Sequence, residues 1–230
     1  MTISFVGAAS NASTSVDISG LGIQPGDLLV VFAASASATK PTIPSGWTPA
    51  LARSPSTGVL VVATRPVITG SETVTGFTGA VAMIAACYRD SVSYLAIGGV
   101  SSATYTTTTS ANFVSIPDYA TSATSATMWR GQGDSWAVGV ATCNVLANGL
   151  STAPSGMTHR SAVSTASREI ALHDSAGNLT LWTMAATTLS GSASGGTMVV
   201  EIYDTGVPKS SGSGGIARLI NGGLVRGQVI

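Results

Sequence analysis

The stretch GDLLVVFAA, Gly26 to Ala34, decides how the chain is read. A Gly-Asp turn pair opens an apolar run that is too short to cross a bilayer and too continuous for a strand with one wet face. GDSWAVGVAT, Gly133 to Thr142, repeats the phrase at an offset of 107. IPSGWTPALARS from Ile43 matches APSGMTHRSAVS from Ala153, and GVLVVATRP from Gly58 matches REIALHDSA from Arg168, both at an offset of 110. AMIAACYRD, ending at Asp90, matches TMVVEIYD, ending at Asp204, at an offset of 114. The drift falls in loops, where insertions are tolerated. Two halves, about 20–90 and 130–204, therefore share one order: turn, strand, Pro-Ser-Gly turn, strand, Thr/Gly-rich hairpin, strand, Tyr.

Apolar runs such as ISFVGA, LLVVFAA, AVAMIAACY, FVSI, LTLWTMA and MVVEIYD are bounded by Gly, Pro, Ser or Asp along the whole chain. Few stretches carry the i, i+3, i+4, i+7 stripe of an amphipathic helix, and β-branched residues with Gly punctuation favour strands. The expected fold is all-β, an antiparallel β-sandwich or jelly roll built from two pseudo-repeated halves. A single half would leave one sheet face bare, so both halves belong to one domain over residues 1–205. Ser91 to Gln132 is read as the connection between halves. Its TYTTTTSANFVSIPDY looks like an exposed strand, with a flexible linker as the competing reading.

Among 230 residues, 44% are hydrophobic and 9% charged, with ten basic side chains against ten acidic ones. So balanced a chain projects no long-range field toward phosphate backbones or acidic lipids, and neither nucleic acid nor membrane is an expected partner. MTISFVGAASNAS lacks a basic start followed by an apolar stretch, so no secretory signal is expected. Cys87 and Cys143 sit in apolar runs and read as buried thiols, with a disulfide as the alternative.

Catalytic patterns are sparse. His159 and His173 are the only imidazoles, and no G-x-S-x-G marks a nucleophile. His173 and Asp174, adjacent on a strand, would face opposite sides of the sheet. Asp27 and Asp134 occupy equivalent turns in the two halves, as do Asp90 and Asp204, which points to turn-forming work for these carboxylates. No enzyme, cofactor or metal site is expected. Trp47, answered by Met157 in the second half, reads as a core plug closing the end of the sandwich. Trp129, beside Arg130 in a Gly-rich loop, and Tyr119 are candidate glycan contacts.

Beyond the sandwich, residues 206–230 read as a Gly/Ser linker followed by an anchoring arm. Ile216, Leu219, Ile220, Leu224, Val225, Val229 and Ile230 supply its apolar surface, and Arg218 and Arg226 its charge. The arm either folds back on its own domain or docks on a neighbouring subunit.

From Ile3 to Asp204, the order GD-L-L-V-V, P-S-G-W-T and ITGSETVTGFTGAVAMIAACYRD, with its weaker second rendering, resembles the β-sandwich domains of tailed-bacteriophage virion proteins. The resemblance implies a virion location and a non-enzymatic structural role, as a capsid decoration or cement protein docked through its arm to major capsid or tail subunits. It also implies a homo-oligomer or multi-copy assembly released by lysis. The alternative is a tail or tail-fibre module that binds a receptor or carbohydrate.

Overall fold

Ten strands form two five-stranded antiparallel sheets in the computed structural model, which describes residues 3–53, 59–116, 129–130, 135–144 and 149–209. The first sheet holds β1 (Ser4–Asn11), β2 (Leu28–Ala34), β3 (Thr48–Arg53), β4 (Leu60–Pro66) and β5 (Ala82–Arg89) in the order β1-β5-β2-β4-β3. The second holds β6 (Ser93–Phe113), β7 (Ser135–Cys143), β8 (Thr158–Ser164), β9 (Glu169–Asp174) and β10 (Ala185–Pro208) in the order β6-β10-β7-β9-β8. Each half of the chain thus fills one sheet, and the two orders are the same. Among the described residues the only helical element is a 3-10 turn at Ser19–Leu21, and no helix is long and apolar enough to cross a membrane.

The equivalence extends to irregularities. β1 skips Val6 between its pairs with Tyr88 and Cys87, and β6 skips Gly98 and Gly99 between its pairs with Ile202 and Val200. β3 skips Ala50, and β8 skips Arg160. Bulges re-aim side chains and increase strand twist, so matched bulges give the two sheets matched curvature. The repeat therefore reaches further than the sequence comparison: β1 and β6 are counterparts. Ser93–Phe113, expected to belong to the connection between halves, is the first strand of the second sheet and lies at its edge.

The Pro-Ser-Gly turns carry this likeness locally. The Trp47 amide donates to the Pro44 carbonyl at 3.3 Å, and the Met157 amide to the Pro154 carbonyl at 3.0 Å. Gly46 and Gly156 stand at φ 85° and 78°, the left-handed position this turn needs at its third residue.

Between the sheets, Leu28, Val30, Phe32 and Ala34 meet Trp136, Val138, Val140 and Ile202 in one core. The alternate residues of the same strands point outward and are covered too. Leu29, Val31 and Ala33 lie under Val16, Ile18, Val74 and Phe77 from the loops flanking the first sheet. Over the second sheet, Ala137 and Ala141 lie under Phe113, Leu189 and Trp182. All seven residues of β2 and all nine of β7 are buried as a result, which is why their sequences never alternate. Trp47 and Met157 are core residues as expected, but they belong to these outer clusters rather than to a plug at the sandwich end. Cys87 and Cys143 are buried on the two opposite outer faces and form no disulfide.

At Gly195 in β10, an added β-carbon would stand 1.8 Å from the Thr142 carbonyl oxygen of β7. Backbone cannot yield there as a side-chain tip could. Gly195→Ala is expected to lower stability by about 1–3 kcal/mol, read as a reduced midpoint in chemical denaturation, while Gly177→Ala, whose β-carbon would meet only the Ser175 carbonyl oxygen at an ordinary 3.9 Å, leaves the midpoint nearly unchanged.

Candidate functional site

Buried charge is the first place to look for chemistry, because an ion in a dry interior needs compensation from its surroundings. Asp27, 1% exposed, opens β2 and accepts both Nε and Nη2 of Arg89 at 2.7 Å, the Gln24 amide at 2.8 Å and the Cys87 thiol at 3.6 Å. Burial and the Asp27 carboxylate together push the Cys87 thiol far above its ordinary pKa, so it stays protonated. Glu201 sits fully buried within the apolar run of β10, where the sequence MVVEIYD signals a charge with a duty. Its Oε2 accepts the amides of Gly99 and Arg130 at 2.8 and 2.7 Å, and its Oε1 accepts the Ser135 hydroxyl at 2.7 Å. Asp90 and Asp204, expected as turn formers, each accept the amide two residues ahead, from Val92 and Gly206. The Ser93 hydroxyl joins the two carboxylates.

One polar cluster bridges the sheets. Asp174, with no exposed surface, ends β9 and accepts Arg160 Nε at 2.8 Å, the Tyr88 hydroxyl from the opposite sheet at 3.2 Å and the Ala176 amide at 3.0 Å. Burial pushes its carboxyl above the usual range, outweighing the Arg160 guanidinium, and burial likewise raises Tyr88. Arg160 also lies over the Phe5 ring at 4.3 Å, and Tyr88 meets Phe5 and Trp136 edge-on. At the opposite end of β2, Arg168 Nε donates across the sheets to the Ser35 carbonyl at 3.0 Å.

His173 points the other way from Asp174, into the outer cluster over the second sheet, as strand alternation requires. It is fully buried, with Nε2 at 2.9 Å from the Leu150 carbonyl and Phe113 edge-on at 5.8 Å. The His159 ring, its cross-strand partner, lies 5.2 Å away, and His173 Nδ1 has no hydrogen-bond partner among the described residues. Burial, reinforced by His159, holds the His173 imidazole down to about 4. The pair is a neutral packing contact.

Accessible polar groups converge instead in an open groove of about 500 Å³ on the outer face of the first sheet. Its walls are two loops joined by an antiparallel bridge between Val16 and Val74. Val16, Ile18 and Ile23 form the floor; Ser15, Ser19, Ser71, Thr73 and Thr75 supply hydroxyls, and Asp17 and Glu72 supply the only charges in the lining. The Glu72 carboxylate gathers the amides of Ile68, Thr69 and Gly70 and so shapes its loop, while exposed Asp17 accepts the Ser19 amide at 2.9 Å. These bonds hold both carboxyls below their usual pKa, against the cost of burial at Glu72.

Trp129 corrects one expectation. Its ring is completely buried among Ala137, Cys143 and Trp182, so it offers no platform to a sugar. Its neighbours suggested exposure, and Arg130 is indeed exposed, but Glu201 grips the Arg130 amide and draws the preceding indole inward. Tyr119 and the arm residues Ile216, Arg218, Leu219, Ile220, Leu224, Val225, Arg226, Val229 and Ile230 lie outside the described residues, as does Asp134. Neither the Glu201 hub nor the groove was among the sites expected from sequence. Among the described residues, no group of three or more His, Cys, Asp and Glu side chains could hold a metal ion.

Compared with known proteins, the chain matches no family model, no curated sequence and no solved structure.

Two measurements test these assignments. The folded state withholds from His173 a proton that the unfolded chain binds below about 6.5, so stability is full above that pH and falls as pH drops toward about 4. The loss attributable to His173 is up to about 3 kcal/mol; Asp174, raised by burial, acts in the opposite sense. His173→Leu should flatten the acid limb of a stability profile followed by denaturant unfolding. Separately, Asp174→Ala leaves Arg160 and Tyr88 stranded and should lose about 3–5 kcal/mol. Asp174→Thr combined with Arg160→Ala and Tyr88→Ile, which copies Thr64, Ala50 and Ile202 of the counterpart positions, should lose less.

Proposed function

We propose that this protein is a non-enzymatic structural component of a multi-copy particle, a bacteriophage virion decoration or cement protein that attaches through residues 216–230. The observation that carries this reading is the run of β10 into Lys209. β10 is an interior strand, bonded to β6 on one side and β7 on the other. At its end the Lys209 amide donates to the Val92 carbonyl at 2.8 Å and its Nζ to the Asp90 carbonyl at 2.7 Å. Pairing with β7 ends at Tyr203, while Pro208 still pairs with Ser93 of β6, so Lys209 is tied to the β6 side of the second sheet and to the crossing between sheets, a firm mounting for an anchor. Support also comes from the buried carboxylates. Asp27, Asp174 and Glu201 are each held by several donors of the fold itself, an investment in a rigid body. The alternative of a glycan-binding tail module loses one of its two candidate aromatic contacts with the burial of Trp129, the other, Tyr119, lying outside the described residues.

Chains ending at Lys209 should keep the unfolding midpoint of the full chain and lose binding to purified particles that lack this protein, measured by co-sedimentation. Binding undiminished by the truncation would overturn the anchor.

A further inference from the structure

The groove on the first sheet and the apolar, basic segment beyond Lys209 complement one another. The groove has an apolar floor of Val16, Ile18 and Ile23 and carries two carboxylates, Asp17 and Glu72, with no basic side chain in its lining. Residues 216–230 reverse that pattern: seven Ile, Leu and Val residues accompany Arg218 and Arg226, and no acidic residue is present. Low charge over the rest of the chain makes the match uncommon within this molecule, since only ten basic side chains exist in all.

Position supports the match. Lys209 lies against Gly26, its Cε 2.9 Å from where a β-carbon on that glycine would stand. Gly26 is three residues from Ile23 of the groove floor, so their Cα atoms are at most about 11 Å apart. Gly70, on the opposite wall, packs near the Ile23 carbonyl and Pro25. From Lys209 to Ile216 the chain takes seven Cα steps and can span up to about 24 Å. The segment therefore begins within reach of the groove of its own molecule, and so short a tether keeps it there at about millimolar effective concentration.

We infer that residues 216–230 stow in this groove of their own chain, with Arg218 set against Asp17 and Glu72 and the neighbouring Ile216, Leu219 and Ile220 over the apolar floor. This builds on the anchoring role proposed above: the anchor is held on its own domain until a partner surface takes it. Shielding of a greasy segment before assembly follows directly, because exposed apolar chain invites association between copies. The contact is weak by construction, one exposed ionic contact and a modest apolar area, so a larger partner surface can displace it.

Paramagnetic labelling of the full chain tests this. Cys87 and Cys143 are buried, so a nitroxide on Asn221→Cys marks the segment. Amide resonances of Ser19 and Thr73 should be attenuated, and the attenuation should persist on dilution. Asp17→Asn and Arg218→Gln should each lower the ratio of stowed to free segment by a factor of about 1.5–5, the range of an exposed ion pair, and the double variant should lose no more than the larger single effect. Absence of attenuation in the groove, attenuation that disappears on dilution and so belongs to a second copy, or indifference to both substitutions would each overturn the inference. Particle binding is read separately. Loss of the label effect in a chain that still binds particles through residues 216–230 removes stowage alone, whereas an intact label effect without particle binding removes the anchor alone.

Discussion

Burial of β2 and β7 on both faces is the constraint from which the rest of the architecture follows. A strand with Leu29, Val31 and Ala33 on one side and Val30, Phe32 and Ala34 on the other presents no face that water can wet. Each sheet consequently requires two covers. The inner one is the other sheet; the outer one is built from loops over the first sheet and, over the second, from the β6–β10 ribbon and the loop around Trp182. Three apolar layers result from one pattern written twice, one between the sheets and one on the outer face of each.

Strand order and bulges repeat, yet the halves are not interchangeable. Where the second sheet carries Asp174 and Arg160 opposite Tyr88, the counterpart positions hold Thr64, Ala50 and Ile202. A buried ionic cluster adds little net stability over a well-packed apolar one, but it penalises any arrangement that leaves a member unpaired. Present at one of two related places, it distinguishes the first sheet from the second and opposes the pairing of either with a copy of itself. Glu201 plays a comparable part at the position corresponding to Cys87: a residue that packs as a small hydrophobe in one half organises backbone amides in the other.

Local chemistry was legible in the sequence and long-range chemistry was not. The Pro-Ser-Gly turns announced themselves because Gly46 and Gly156 answer a backbone demand within four residues. Asp90 and Asp204 were readable as turn formers for the same reason. β1 and β6 escaped recognition as counterparts: SFVGAASN and the 21-residue SYLAIGGVSSATYTTTTSANF share little, since an edge strand answers to one neighbour and tolerates a bulge. Trp129 was read from its Gly-rich surroundings, whereas its burial is decided by Glu201, which lies 71 positions from Arg130. The Asp174–Tyr88 bond, spanning 86 positions, exists only once two sheets are stacked, and no periodicity within either strand encodes that stacking.

The chain passes between the sheets once, at Asp90 to Ser93, and this has a kinetic corollary during synthesis. Every strand of the first sheet is synthesised before the ribosome has made any of the second. At about 5–20 residues per second, the nascent first sheet then waits on the order of ten seconds for Ser93–Lys209 to emerge. Throughout that interval Val30, Phe32 and Ile84 lack the layer that will seal them. Translation speed across the second half therefore sets a minimum to the time for which this apolar face is open to capture by other nascent chains.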